Sequence, residues 1–131
     1  MAAGDPLAIT NTKITTLNAV QVLTKVTADQ TADATAQNFV YTPTGRDGKL
    51  LFIIHQGAAS VVVYTVAAGA RTFAGAAAAT TTAATAGTYV LQVETGKHIQ
   101  ADGTVVLSAL PTTGKDLVND HAMTVGVVEL Q

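Results

Sequence analysis

Cysteine is absent from this chain of 131 residues, and charged residues are scarce. Without cysteine, disulfide bonds and thiolate metal sites are excluded, and the redox compartment cannot be inferred. Charged residues make up 12% of the sequence, against roughly 25% in typical soluble domains. The five lysines and two arginines are scattered along the chain. Because nucleic-acid-binding proteins usually present a clustered basic face, we expect no nucleic-acid partner.

Long apolar runs are missing too. The longest stretches, LLFII and SVVVYTVAAGA, are shorter than the ~20 residues that an apolar helix needs to cross a bilayer, so we expect no membrane partner. The length suits one domain, and no internal repeat or linker divides the chain. We therefore predict a single domain over residues 1–131.

Motifs of catalysis do not occur either. Ser60 and Ser108 are the only serines, and neither lies in the Gly-x-Ser-x-Gly pattern of a hydrolase elbow. The glycines form no phosphate-binding loop. Since an active site would have to be assembled from distant positions, we predict that the protein is not an enzyme and uses no cofactor.

Metal binding has little support in the spacing of possible ligands. His55, His98 and His121 share no ligand spacing such as His-x-x-x-His, although they leave open a cupin-like convergence in space. Asp116 and Asp120 leave open a calcium site completed by backbone carbonyls, but a dense Asp-x-Asp pattern is absent. We predict that these residues belong to ordinary strands and turns, and that the protein holds no metal.

Valine and threonine, which favour strands, are abundant instead. Turn residues bound the Val/Thr-rich segments at regular spacing, and Lys49–Gln56 is apolar on both faces, as expected of a central strand. We predict an all-β fold: a single small jelly-roll-like sandwich of about eight or nine short antiparallel strands, with an extended N-terminal arm over residues 1–9. The predicted strands are Ile9–Leu17, Val20–Val26, Asn38–Thr42, Lys49–Gln56, Ser60–Val66, Tyr89–Glu94, Lys97–Gln100, Thr104–Leu107 and Met123–Leu130.

The alanine- and threonine-rich run Ala74–Ala86 is the ambiguous segment. It has no charge, no large apolar residue and no 3.6-residue stripe, so a helix there would bury only methyl groups. Its β-branched threonines lower helix propensity. We predict a loop or a weak edge strand with threonine pointing outward.

Aromatic side chains are few, and Tyr41, Tyr64 and Phe73 are the possible members of a flat sugar-binding platform. Packing in the core or at strand edges is the simpler interpretation of the same residues. A carbohydrate-binding or adhesion sandwich therefore stays as an alternative function.

The order of the segments YTPTGRDGKLLFIIHQGAASVVVYTVAAG, GTYVLQVETGKHIQADGTVVLS and MTVGVVELQ resembles small virion proteins of tailed phages. The chain is similar, over roughly residues 38–131, to head decoration (cement) proteins and related minor capsid proteins. The resemblance implies a non-enzymatic protein that binds the outer surface of the capsid, at junctions of the major capsid protein, and stabilises the expanded shell. It also implies synthesis in the host cytoplasm and self-association as a dimer or trimer. A tail or head-fibre module is the alternative within the virion.

Two sets of residues are candidate contacts with the capsid under this resemblance. The N-terminal segment, with Ala2, Ala3, Asp5 and Leu7, is a candidate arm that adds a strand to a neighbouring subunit. An ordinary frayed terminus is the alternative. Two arginines in predicted loops are candidate anchors for an acidic capsid surface; they are Arg46 and Arg71.

Overall fold

A computed structural model describes residues 4–13, 18, 20–45, 48–57, 60–70 and 78–130. Within them the chain forms two packed β-sheets and one helical turn, α1. The elements are β1 (Leu7–Ala8), β2 (Lys25–Thr27), β3 (Gln37–Tyr41), β4 (Lys49–Gln56), β5 (Val62–Val66), β6 (Ala79–Ala83), β7 (Gly87–Glu94), α1 (Thr95–His98), β8 (Val105–Pro111) and β9 (Thr124–Leu130).

The strand order is that of a jelly roll. The five-stranded sheet has the order β1-β3-β8-β5-β6, and the four-stranded sheet has the order β2-β9-β4-β7. The antiparallel pairs are nested in chain order: β5–β6 lies within β4–β7, β4–β7 within β3–β8, and β3–β8 within β2–β9. The pairs β4–β9 and β5–β8 join these strands into the two sheets. This double-sheet arrangement confirms the predicted jelly-roll-like sandwich. Among the described strand pairs, β1–β3 is the one parallel pair, and it lies at an edge.

Alternation along the strands places the core between the sheets. In β4, Leu50, Phe52 and Ile54 are buried and point inward, while the residues between them are half-buried or exposed. Val105 and Leu107 of β8 face them from the other sheet and are completely buried. Successive side chains of a strand point to opposite faces, so the same alternation also fixes which residues form the outer faces.

The first two predicted strands are wrong in extent. The observed strand is Lys25–Thr27, which shares only Lys25 and Val26 with the predicted Val20–Val26. In the described part of the predicted Ile9–Leu17, residues 9–13, Asn11 forms an isolated parallel bridge to Val127. Residues 14–17 lie outside the described part. Side-chain contacts replace the ladder here, since the Thr24 amide donates to the Thr12 hydroxyl at 2.7 Å.

The predicted strand Lys97–Gln100 is also wrong. Residues Thr95–His98 form a single helical turn, closed by the Ile99 amide donating to the Thr95 carbonyl at 2.9 Å. The turn directs His98 onto the Ala67 carbonyl, 3.0 Å from Nδ1. Alternation in so short a segment does not distinguish a strand from a turn.

The alanine- and threonine-rich run contains an edge strand, which is one of the two alternatives predicted for it. Residues Ala79–Ala83 form β6, which pairs only with β5. Ala78 and Ala84–Ala86 are not in regular strands, and residues 74–77 lie outside the described part.

Candidate docking surface

Among the described residues, the outer side of the five-stranded sheet presents one face whose members carry no charge. It is built from the outward residues of β3, β8, β5 and β6, which alternate with buried core residues along each strand. We call it the uncharged face; its members are Asn38, Val40, Val63, Thr65, Thr80, Thr82, Val106, Ser108 and Leu110.

Strand register arranges this face in cross-strand rows. One row is polar, with Asn38, Ser108, Thr65 and Thr80 directly opposite one another on successive strands. The rows on either side contain mainly aliphatic side chains, such as Leu110 opposite Val63. A flat surface of valine, threonine and serine can be desolvated without removing a charge from water, which suits contact with another protein.

A shallow groove of about 370 Å³ lies where the ends of β5 and β8 meet. Val61 and Leu110, each 41% exposed, line it together with Val63, Pro111 and Thr112. The groove extends the uncharged face and adds apolar area that water reaches.

Of the predicted contact residues, Asp5 and Leu7 lie in the described structure. Ala2, Ala3, Arg46 and Arg71 lie outside it. Asp5 is exposed and Leu7 is half-buried against the core.

The described part of the predicted arm, residues 4–9, is an edge of the domain's own five-stranded sheet. Leu7 pairs with Phe39, and the Ile9 amide donates to the Val40 carbonyl at 2.8 Å. One side of this backbone is therefore already paired with β3 within the domain, and its other side is an edge of the sheet.

Gln37 holds this N-terminal segment in place. Its amide nitrogen donates to the Asp5 carbonyl at 3.1 Å and to the Asp29 carboxylate. The same carboxylate accepts from the Gly4 amide at 2.9 Å. The hydrogen bonds from Gly4 and Gln37 lower the pKa of Asp29. Sequence reasoning missed this cluster, because Gly4 and Asp5, Asp29, and Gln37 come from three separate segments of the chain.

The three histidines do not converge on a common site. His55 contacts Thr88, and His98 contacts the Ala67 carbonyl. His121 is fully buried, with Nε2 at 2.9 Å from the Ser60 hydroxyl and no hydrogen-bond partner at Nδ1. Burial lowers the pKa of His121. Nowhere in the described ranges do three His, Asp or Glu side chains gather as metal ligands would.

The two aspartates considered for calcium bind the backbone of their own turn. Asp116 accepts from the Val118 and Asn119 amides, at 2.8 and 2.6 Å, and Asp120 accepts from the Asp116 amide at 2.8 Å. The Asn119 amide contributes most to lowering the pKa of Asp116. These carboxylates stabilise the loop before β9, as aspartate commonly does in turns.

The tyrosines considered for a sugar platform are core residues. Tyr41 is 3% exposed and Tyr64 is 2% exposed. Their hydroxyls donate inward, to the Glu129 carboxylate at 2.6 Å and to the Gln56 side-chain oxygen at 2.7 Å. Burial, with Glu129 as a further cause for Tyr41, raises the pKa of both phenols. Because both tyrosines are buried, neither offers a flat ring to a sugar. Phe73 lies outside the described residues.

The described helix, a single turn, is far too short to cross a membrane. Fold and surface together define a small all-β sandwich of jelly-roll topology with an uncharged outer face. Comparison with protein-family models, with curated proteins and with solved structures finds no match for this chain.

Proposed function

We propose that the protein is a structural component of a phage virion that coats the capsid. In this role it binds the outer surface at junctions of the major capsid protein and stabilises the expanded shell. The observation that supports this proposal best is the uncharged face, whose central row joins Ser108 to Thr65. Such a face suits a protein whose activity is contact with other proteins.

The physical basis of stabilisation is selective binding. A protein that binds only the expanded shell stabilises that state by mass action. Each contact need not be large, because many copies arranged by the symmetry of the shell act together. The low charge of the chain, with a net charge of −2, permits dense packing of copies with little mutual repulsion.

The test is binding to expanded and unexpanded shells assembled from the major capsid protein of the same genome. We expect sedimentation with expanded shells, at hundreds of copies per head, and a higher melting temperature of the shell. Failure to bind expanded shells would contradict the proposal. A few copies per particle would instead indicate a tail or head-fibre module.

A pair of matched variants locates the contact. Thr65→Lys places a charge at the centre of the uncharged face, and we expect it to weaken shell binding by about tenfold or more, since an unpaired charge must be desolvated. Thr27→Lys places the same charge on exposed β2 of the other sheet, where we expect little effect. Equal binding by both variants would exclude the uncharged face.

A further inference from the structure

The free edge of β6 is the least protected sheet edge in the described part of the chain. Edge strands expose unpaired backbone groups, and proteins usually guard them with charge, proline or extreme shortness. β1 has two residues and follows Pro6, β2 contains Lys25, and β7 ends at Glu94. β6 has the sequence Ala-Thr-Thr-Thr-Ala, and its first four residues are exposed.

The sequence of β6 is complementary to itself. In an antiparallel pair centred on Thr81, Ala79 of one copy lies opposite Ala83 of the other, and Thr80 lies opposite Thr82. Threonine pairs across strands are favourable, and no like charges meet. Thr80 and Thr82 both belong to the uncharged face, so this register also keeps the pleat of the two sheets continuous.

An apolar slot opens at the same edge, between β6 and β7. It has a volume of about 120 Å³, and Thr81 lies across it from Tyr89, Val90 and Leu91. Val90 at its rim is 64% exposed. A two-fold axis through Thr81 would bring the slots of two copies face to face and remove this apolar rim from water.

We propose that two copies of the chain associate edge to edge, by antiparallel pairing of β6 about a two-fold axis at Thr81. The interface is isologous, as in most homodimers. It joins two five-stranded sheets into one ten-stranded sheet and leaves the uncharged face open on both copies. The dimer does not depend on the capsid role: it is a property of the isolated protein.

The interface is small, which sets the expected strength. Stable dimers commonly bury about 1,200–2,000 Å² in total, and pairing of two five-residue strands supplies only part of that area. The slots and Val90 add a small apolar area to it. We therefore expect a dimer that dissociates on dilution.

Crosslinking through an introduced cysteine tests the register, because the chain has no cysteine of its own. At the two-fold axis, residue 81 faces its twin with Cβ atoms about 4.5–5.5 Å apart, within the usual reach of a disulfide. We expect Thr81→Cys to form a covalent dimer on mild oxidation. The matched control Thr27→Cys, on the edge strand at the other side of the sandwich, should crosslink at least tenfold more slowly. Equal rates would overturn the proposal.

A charge exchange tests the same register without covalent chemistry. In T80K/T82K, lysines of the two copies meet, and we expect the dimer to weaken by about tenfold or more in sedimentation equilibrium. In T80K/T82E, each lysine meets a glutamate of the second copy, and association should recover. A wild-type chain that stays monomeric at its highest soluble concentration would refute the interface, as would equal association of the two double variants.

Discussion

We expect the buried His121 to make the fold sensitive to mild acid. Burial is the main cause that lowers the pKa of His121 below its ordinary value of 6.5, and Lys115 acts in the same direction. Asp120 and Asp116 oppose the shift. Between pH 6.5 and the lower folded pKa, the unfolded chain binds more protons at this site than the folded one. The free energy of unfolding therefore falls as the pH drops below about 6.5.

Urea unfolding between pH 7.5 and about 5 measures this slope. The carboxyl groups with lowered pKa values, Asp29 and Glu129 among them, titrate at more acidic pH. In His121→Gln the slope should become flatter, since the titrating group is gone, although stability at pH 7.5 also changes. An unchanged slope would show that His121 does not control acid sensitivity.

The Glu129 carboxylate anchors the loop between β3 and β4. It accepts hydrogen bonds from the Tyr41 hydroxyl at 2.6 Å, the Thr44 hydroxyl at 2.9 Å and the Gly45 amide at 3.1 Å. Burial tends to raise the pKa of Glu129, but these donors outweigh it and lower the pKa. This contribution to stability is present above the unfolded pKa of 4.5 and is lost as the pH falls through the lower folded pKa.

Glu129→Gln replaces one acceptor oxygen with a donor that faces other donors. We expect it to lower the free energy of unfolding by about 2 kcal/mol at pH 7, measured in urea. Glu94→Gln is the matched control, because Glu94 contacts Lys97 on the exposed surface and should change stability by less than about 0.5 kcal/mol. Similar losses in the two variants would contradict the anchoring role.

A glycine in the interior of β9 allows the segment before β2 to pack on the four-stranded sheet. A Cβ added at Gly126 would lie 2.9 Å from the Leu23 side chain and 2.9 Å from the Thr24 carbonyl. The Thr24 carbonyl oxygen belongs to the backbone, so it can move away only if the whole segment before β2 shifts. Glycine inside a strand often marks such a close approach of another backbone.

Gly126→Ala should therefore destabilise the fold by about 1–3 kcal/mol, as overpacking typically does. Gly87→Ala, in β7, is the matched control: its Cβ would have no neighbour closer than 3.7 Å, the Tyr89 ring. Denaturant midpoints of the two variants measure the difference. If Gly126→Ala is as stable as wild type, Leu23 and Thr24 do not pack closely against Gly126 in solution.

Elements with strong alternation or apolar runs were predictable from the sequence. The predicted Lys49–Gln56 and Met123–Leu130 agree with β4 and β9 within a residue, because their apolar side chains need burial in any fold. β1 and α1 were not predictable, since two to four residues carry no usable period. Their conformations depend on partners distant in the chain, such as Phe39 for Leu7 and the Ala67 carbonyl for His98.

The uncharged face was not predictable from the sequence, because its residues come from four strands and become neighbours only when those strands pair. Each strand shows which residues point outward, but the sequence does not show that Ser108 lies between Asn38 and Thr65. Cross-strand neighbours follow from register and strand order, which the tertiary fold decides. The sequence instead indicates Arg46 and Arg71, because a positive charge in a predicted loop could anchor the protein to an acidic surface.

At the scale of the whole molecule, the uncharged face and the proposed β6 interface together form one continuous surface. In the proposed dimer the uncharged face is doubled in width, while the described lysines remain outside β5, β6 and β8. Binding through this surface would lose little from screening of charges, because salt weakens mainly interactions between exposed ions.

Salt dependence therefore separates the two modes of capsid binding. Through the uncharged face, the affinity for expanded shells should change by less than about threefold between roughly 50 and 500 mM salt. If Arg46 and Arg71 anchor the protein to an acidic surface, affinity should fall steeply over that range and in the R46A/R71A variant at low salt. We expect the first result in equilibrium binding measured by co-sedimentation. The second would assign the contact to the two arginines, because only a contact between ions responds to both changes.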